Sequence, residues 1–218
     1  PSSDIYTYTS YSGNYRAFPI TEGSGSYRLD VLEHGKGDMY SLSLSETFDV
    51  RISDEFKPFL YPNHFVWFTE DSESVQLARK LSDESSSDLD YVERVYNYAT
   101  GEVKYDDKKA REVTVDYIPN PDETIASGKG ICFDYASLMS AMLRSQGIPT
   151  KLVVGYSGTV YHAWISVYLK ETGWVDNMIE FDGTNWSLMD PTLASGADDK
   201  KVQEYIGDGS NYMPKFYY

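Results

Sequence analysis

The stretch Gly128-Lys-Gly-Ile-Cys-Phe-Asp-Tyr-Ala-Ser-Leu-Met-Ser-Ala-Met-Leu-Arg144 holds the single cysteine of the chain, Cys132. Glycines at 128 and 130 open a loop, and the residues after Cys132 are apolar on most sides: Ala136, Leu138, Met139, Met142 and Leu143. The run closes on Gln146-Gly-Ile-Pro149, a C-cap glycine followed by a proline. This spacing predicts a central helix that starts at the cysteine. The first N–H groups of a helix lack internal partners and its dipole favours negative charge there, so a thiolate at that place is stabilised. The alternative is a buried core cysteine sharing a helix face with Ala136, Met139 and Leu143. The two glycines weigh against it, because an inert core thiol needs no close backbone approach in front of it.

Three strand-like runs follow, at 151–156, 162–169 and 185–190. Helix and then antiparallel sheet is an α+β order. In the second run Ala163, Ile165, Val167 and Leu169 point one way, and His162, Trp164, Ser166 and Tyr168 the other. His162 thus stands at the head of a strand, away from its branched apolar stripe. Asp190 ends the third run, immediately before Pro191. Read singly, a strand histidine is a surface or hydrogen-bonded filler and an Asp-Pro is a turn. Read together they supply what a thiol nucleophile needs. A base takes the thiol proton and later protonates the leaving group, and a carboxylate holds the imidazole tautomer. His162 lies 30 residues beyond Cys132 and Asp190 another 28 beyond that. Such spacings let one helix and two neighbouring strands converge.

Upstream, the chain reads as two parts. To about residue 68 the pattern has period two: Tyr40, Leu42 and Leu44 alternate with serines, then Phe48, Val50 and Ile52 with polar residues. An earlier strand covers 27–32, joined through the turn signal His34-Gly-Lys-Gly-Asp38. The expectation is a small antiparallel sheet with one wet face, preceded by a Tyr- and Ser-rich stretch that is either an edge strand or a loose arm. From about Ser72 the pattern turns helical. One helix covers 75–81, and another carries Leu89, Val92, Val95, Tyr96 and Ala99, with Ser87 as N-cap and Gly101 as its stop. Polar sequence around 106–109 and the segment 119–125 then lead to the cysteine. The domain reading is a β-rich accessory domain over 1–70 and a catalytic domain over 71–218. A short helix from Asp198 and a closing strand at 215–218 complete it.

Composition narrows the function classes. The chain carries 34 acidic against 19 basic residues, a formal charge of −15, which opposes binding to a phosphate backbone. No apolar run approaches the roughly 20 residues of a membrane span. One cysteine gives no disulfide framework, and His34, His64 and His162 lack metal-ligand spacing. Neither a metal nor a cofactor is expected. A chain starting Pro-Ser-Ser reads as trimmed, its targeting segment removed.

The segments Gly130-Ile-Cys-Phe-Asp-Tyr-Ala-Ser-Leu138, Leu143-Arg-Ser-Gln-Gly-Ile-Pro149, Val153-Val-Gly-Tyr156, His162-Ala-Trp164 and Met189-Asp-Pro-Thr192, in this order, resemble the transglutaminase-like core domain. The resemblance covers roughly residues 72–195; residues 1–70 carry no family signature. It implies a papain-like fold, with Cys132 as nucleophile on the central helix, His162 as base and Asp190 as its orienting carboxylate. It implies a thiol enzyme working on peptide or protein amides through an acyl-enzyme. The acceptor is water in a protease or amidase and an amine in a cross-linking transamidase. Hydrolysis is slightly preferred, since water is always present and the sequence shows no calcium site. A non-catalytic surface binding module retaining the fold is the reading from another class. The Cys132 N–H is one oxyanion donor. A second, from a side chain, stays open among Tyr105, Tyr117 and the stretch 65–67, while Trp164, Trp174, Tyr156 and Tyr161 are candidate walls of a cleft. The composition also has the style of an exported bacterial protein, extracellular or at the cell surface, with a substrate associated with the cell wall or surface.

Overall fold

The computed structural model describes residues 4–11, 13, 15–176, 179–181, 186–188 and 212–218. Asp190, and the short helix expected from Asp198, lie outside the described residues. The chain divides into two units. One comprises Pro1–Thr7 and Ile20–Glu55, the other Tyr8–Pro19 and Phe56–Tyr218. The division falls at Glu55 and not at residue 70, and the larger unit also takes the segment Tyr8–Pro19.

In the smaller unit, β1 (Gly25–His34) and β2 (Tyr40–Val50) form an antiparallel hairpin. The two period-two runs read at 40–44 and 48–52 belong to one continuous strand up to Val50. Its register pairs Tyr27 with Phe48 and Val31 with Leu44, then shifts by one residue so that Leu32 meets Leu42 and His34 meets Tyr40. A bulge of this kind re-phases one strand against the other. Here it keeps the apolar side chains of both strands on one face although β1 is not strictly alternating. Most of those side chains are exposed all the same, from Phe48 at 41% to Tyr40 at 62%, with Tyr27 and Val50 partly covered.

The larger unit holds α1 (Glu73–Asp83), α2 (Asp88–Glu102), β3 (Lys104–Tyr105), α3 (Asp107–Glu112), α4 (Pro121–Ser127), β4 (Lys129–Gly130) and α5 (Cys132–Ser145). Beyond these lie β5 (Thr150–Ser157), β6 (Val160–Leu169), β7 (Gly173–Val175), β8 (Ile179–Phe181), β9 (Trp186–Leu188) and β10 (Tyr212–Tyr217). Ser87 caps α2 as expected, its Oγ accepting from the Asp90 N–H at 3.1 Å. Gly101 does not stop that helix, which runs to Glu102. The polar stretch near 107 is itself a short helix capped by Asp106, and Asn120 with Pro121 at the first position starts another.

The sheet is antiparallel in the order β10-β5-β6-β7, and α5 packs on β5 and β6 with α1, α2 and α4 around it. This is the α+β architecture read from the sequence. Helix α5 is the core: Leu138, Met139, Met142 and Leu143 have no exposed surface. It ends in a Schellman motif, in which the Ile148 N–H donates to the Leu143 carbonyl and the N–H of Gly147 (φ +82°) to that of Arg144. Tyr8, in the segment expected to be an edge strand or a loose arm, packs on Phe18, His64, Phe65 and Tyr218. The described residues of the segment form no strand, and the rings of Tyr8 and Phe18 tie it to the core.

Candidate active site

Cys132 is the first residue of α5 and partly exposed, whereas Ala136, Met139 and Leu143, its would-be partners on a core face, are buried. The loop in front of it is built as its glycines require. Gly128 ends α4 in the left-handed conformation (φ +59°), which costs a side-chain-bearing residue energy. At Gly130 a Cβ would lie 2.7 Å from that of Asp134, so only glycine permits the approach. Strands β3 and β4 clamp this loop in parallel, with the Lys104 N–H donating to Gly128 O and the Asp106 N–H to Gly130 O, both at 2.9 Å.

The first turn of α5 encloses a carboxylate to which the sequence reading gave no role. Asp134, with no exposed surface, accepts from the Ile131 N–H at 2.8 Å, the Lys109 ammonium at 2.7 Å and the Tyr117 hydroxyl at 2.5 Å. The bond to Ile131 is half of a capping box. The reciprocal half does not exist, because an isoleucine side chain has no acceptor. Burial, aided by the bond to Asp134, pushes the Tyr117 phenol far above its ordinary range, so it stays a protonated donor. With its hydroxyl committed to Asp134, Tyr117 leaves the group of candidate oxyanion donors. The signal that marks Asp134 is its position: it is the one acidic residue of α5 and lies three residues past the N-cap.

His162 is the third residue of β6, buried at 9% exposure and paired across to Gly155 on β5. Residues 146–149 turn the chain back after α5, and the Thr150 carbonyl at the start of β5 accepts from Arg144 Nε at 2.8 Å. Strand β5 therefore begins where α5 ends. Roughly 18 Å of helix separate Arg144 from Cys132, and roughly 17 Å of strand separate Thr150 from Gly155. The five residues from Thr150 to Gly155, the cross-strand partner of His162, thus cover about the length of α5. Gly155 also has to be glycine, since a Cβ there would collide with the Met213 carbonyl and the Trp164 ring.

The four candidate cleft walls separate into two groups. Trp164, 3% exposed, forms a buried cluster with Val153 and Tyr212, with Tyr217 against it. Trp174 packs on Phe56, Phe59 and Tyr168 and carries the Lys151 ammonium 3.8 Å above its ring. Both tryptophans are packing residues. Tyr156 and Tyr161 are accessible, Tyr161 at 56%, with rings 5.4 Å apart, and Met213 pairs beside Tyr156. They form an exposed apolar edge next to His162 in the chain.

Residues 75–177 match the family model of the transglutaminase-like superfamily. A UPF0252 protein of Methanocaldococcus jannaschii is 29% identical over 153 residues, covering 64% of this chain and 40% of that one. The kyphoscoliosis peptidase of Mus musculus is 27% identical over 142 residues, covering 60% of this chain and 19% of its own length. The solved periplasmic domain of TgpA from Pseudomonas aeruginosa superposes with a TM-score of 0.44 at 21% identity, over 59% of this chain and 46% of that chain. The chain thus spans well under half the length of these curated relatives.

Proposed function

We propose, for a chain whose residues 75–177 match the transglutaminase-like superfamily, that Cys132 acylates on peptide or protein amides and that water takes up the acyl group. His162 accepts the thiol proton as base, and Cys132 Sγ attacks the amide carbonyl. The tetrahedral oxyanion collapses, the C–N bond breaks and His162 returns the proton to the leaving amine. Water, deprotonated by His162, then releases the acid. Asp190, four residues before Ala194 in the chain's last third, orients the imidazole in this reading.

The observation that carries the proposal is that β5 and β6 pack on α5, with β5 starting beside Arg144 at the helix end and His162 paired to Gly155 five residues further on. The name of the Mus musculus relative, a peptidase, supports water as acceptor. A cell-surface or extracellular substrate belongs to the same reading and rests on composition alone. No helix among the described residues is long and apolar enough to cross a membrane.

The test has two parts. Iodoacetamide at neutral pH should label Cys132 faster than a free thiol, and His162→Asn should abolish the advantage. Labelling at the free-thiol rate, indifferent to His162, would leave a binding module. A mass-spectrometric peptide screen with and without added amines then reads the acceptor; amine adducts alone would make the protein a transamidase. Asp190→Ala should lower turnover by about 10²-fold or more with the fold retained.

A further inference from the structure

We infer that Lys109, Asp134 and Tyr117 are positioning residues that hold the Ile131–Cys132 peptide so that its N–H is aimed at the oxyanion of the acylation step. The inference rests on Cys132 being the nucleophile.

Three hydrogen bonds fix that peptide and its neighbour. The Ile131 carbonyl accepts from the N–H groups of Asp134 at 2.9 Å and Tyr135 at 3.1 Å, and the Ile131 N–H donates to Asp134 Oδ2 at 2.8 Å. In a trans peptide the carbonyl and the N–H point in opposite directions. With the carbonyl drawn into the helix, the Cys132 N–H points out of its start, beside its own thiol. A donor placed before the reaction is worth far more than one that must turn to meet the charge.

An asparagine at 134, bonded to Ile131 alone, would serve as a helix cap. The structure holds much more. Lys109 comes from α3 and Tyr117 from the stretch after it, and both close on a carboxylate withdrawn from solvent. The Lys109 ammonium also lies 4.5 Å from the centroid of the Tyr117 ring. Burying a carboxylate is costly unless its lone pairs are met. Three donors from separate segments meet them, and together they bolt the first turn of α5 to α3, while the β3–β4 clamp holds Gly130. Rigid support around a donor is what keeps it on target.

Two electrophiles separate this role from a general one. With p-nitrophenyl acetate, Sγ bonds to the acetyl carbon, the C–O bond breaks and p-nitrophenolate leaves with the electron pair, by way of an oxyanion. With iodoacetamide, Sγ bonds to the methylene carbon and iodide leaves with the electron pair, with no oxyanion formed. Lys109→Met should lower kcat for acylation about tenfold at unchanged KM, while iodoacetamide labelling stays within about twofold. Lys109→Arg should restore most of the loss. Should Lys109→Met fail to reach the wild-type melting profile, Tyr117→Phe, which keeps the ion pair, should show a smaller fall of the same selectivity. Equal falls with both electrophiles, or none with either, would overturn the inference. Wild-type protein that reacts with neither reagent faster than a free thiol removes the nucleophile itself, and that failure is visible before any variant is made.

Discussion

Leu42 in the β1–β2 hairpin is more than half exposed, while Leu152 in β5 has no exposed surface, although both sit in strands of alternating or apolar pattern. Period two reports that a chain is extended with its side chains on two sides. It does not report whether a second layer covers either side. In the larger unit the layer exists because a four-residue connection folds β5 back along α5, and the helix covers the sheet. The hairpin gathers most of its apolar side chains on one face, re-phased by its bulge, and Leu29, Val31, Leu32, Leu42, Leu44 and Phe48 on that face are exposed. A two-stranded ribbon of this sort is marginal by itself.

The contrast predicts unequal responses to loss of a side chain. Leu152→Ala should have the largest effect, lowering unfolding free energy in urea by about 3 kcal/mol, because removal of a fully buried leucine leaves a cavity as well as a lost transfer term. A cost below about 1 kcal/mol would mean that the β5–α5 layer collapses to fill the space, and the difference between the two regions would shrink accordingly.

A second measurement sharpens the buried side of the comparison. His64 is 1% exposed and neither of its ring nitrogens has a hydrogen-bond partner among the described residues; its ring lies against Tyr8, Phe18 and Phe65. Burial, with a smaller contribution from the Arg16 charge, lowers its pKa below the ordinary 6.5. The unfolded chain therefore binds a proton that the folded chain refuses. Stability should be full above pH 6.5 and should decline as the pH falls from there towards the lowered folded value. His64→Phe should flatten that part of the urea-midpoint profile. A wild-type profile with no decline below pH 6.5 would mean that the ring finds a proton acceptor in solution.

What could be read in the sequence follows the range of the signals. Helix α5 is legible from Gly128, Gly130, Gly147 and Pro149, because glycine and proline act on their own backbone and need no distant partner. Strands β5 and β6, with His162 at the head of the second, are legible for the same local reason. Helices α3 and α4 are six and seven residues long, too short for an apolar period, and only their caps at Asp106 and Asn120 betray them. The cap position of Asp134 is a local signal, but its anchors Lys109 and Tyr117 are beyond any local reading, since they lie 25 and 17 residues upstream. Tyr8 is a similar case: its neighbours His64, Phe65 and Tyr218 are remote in the chain, so a Tyr- and Ser-rich stretch without periodicity looks loose until they are in place.

The smallest expected effect tests the other side of the contrast. Leu42→Ser places a polar group on a face that solvent already reaches, so the unfolding free energy should change by less than about 0.5 kcal/mol. Two side chains of equal type would then differ several-fold in what they contribute, and the difference would lie wholly in the layer above β5. A larger loss for Leu42→Ser that grows with protein concentration would show the hairpin face covered by a second copy of the chain. A loss independent of concentration would show it covered within one chain, and the hairpin would then have to be counted as part of a core.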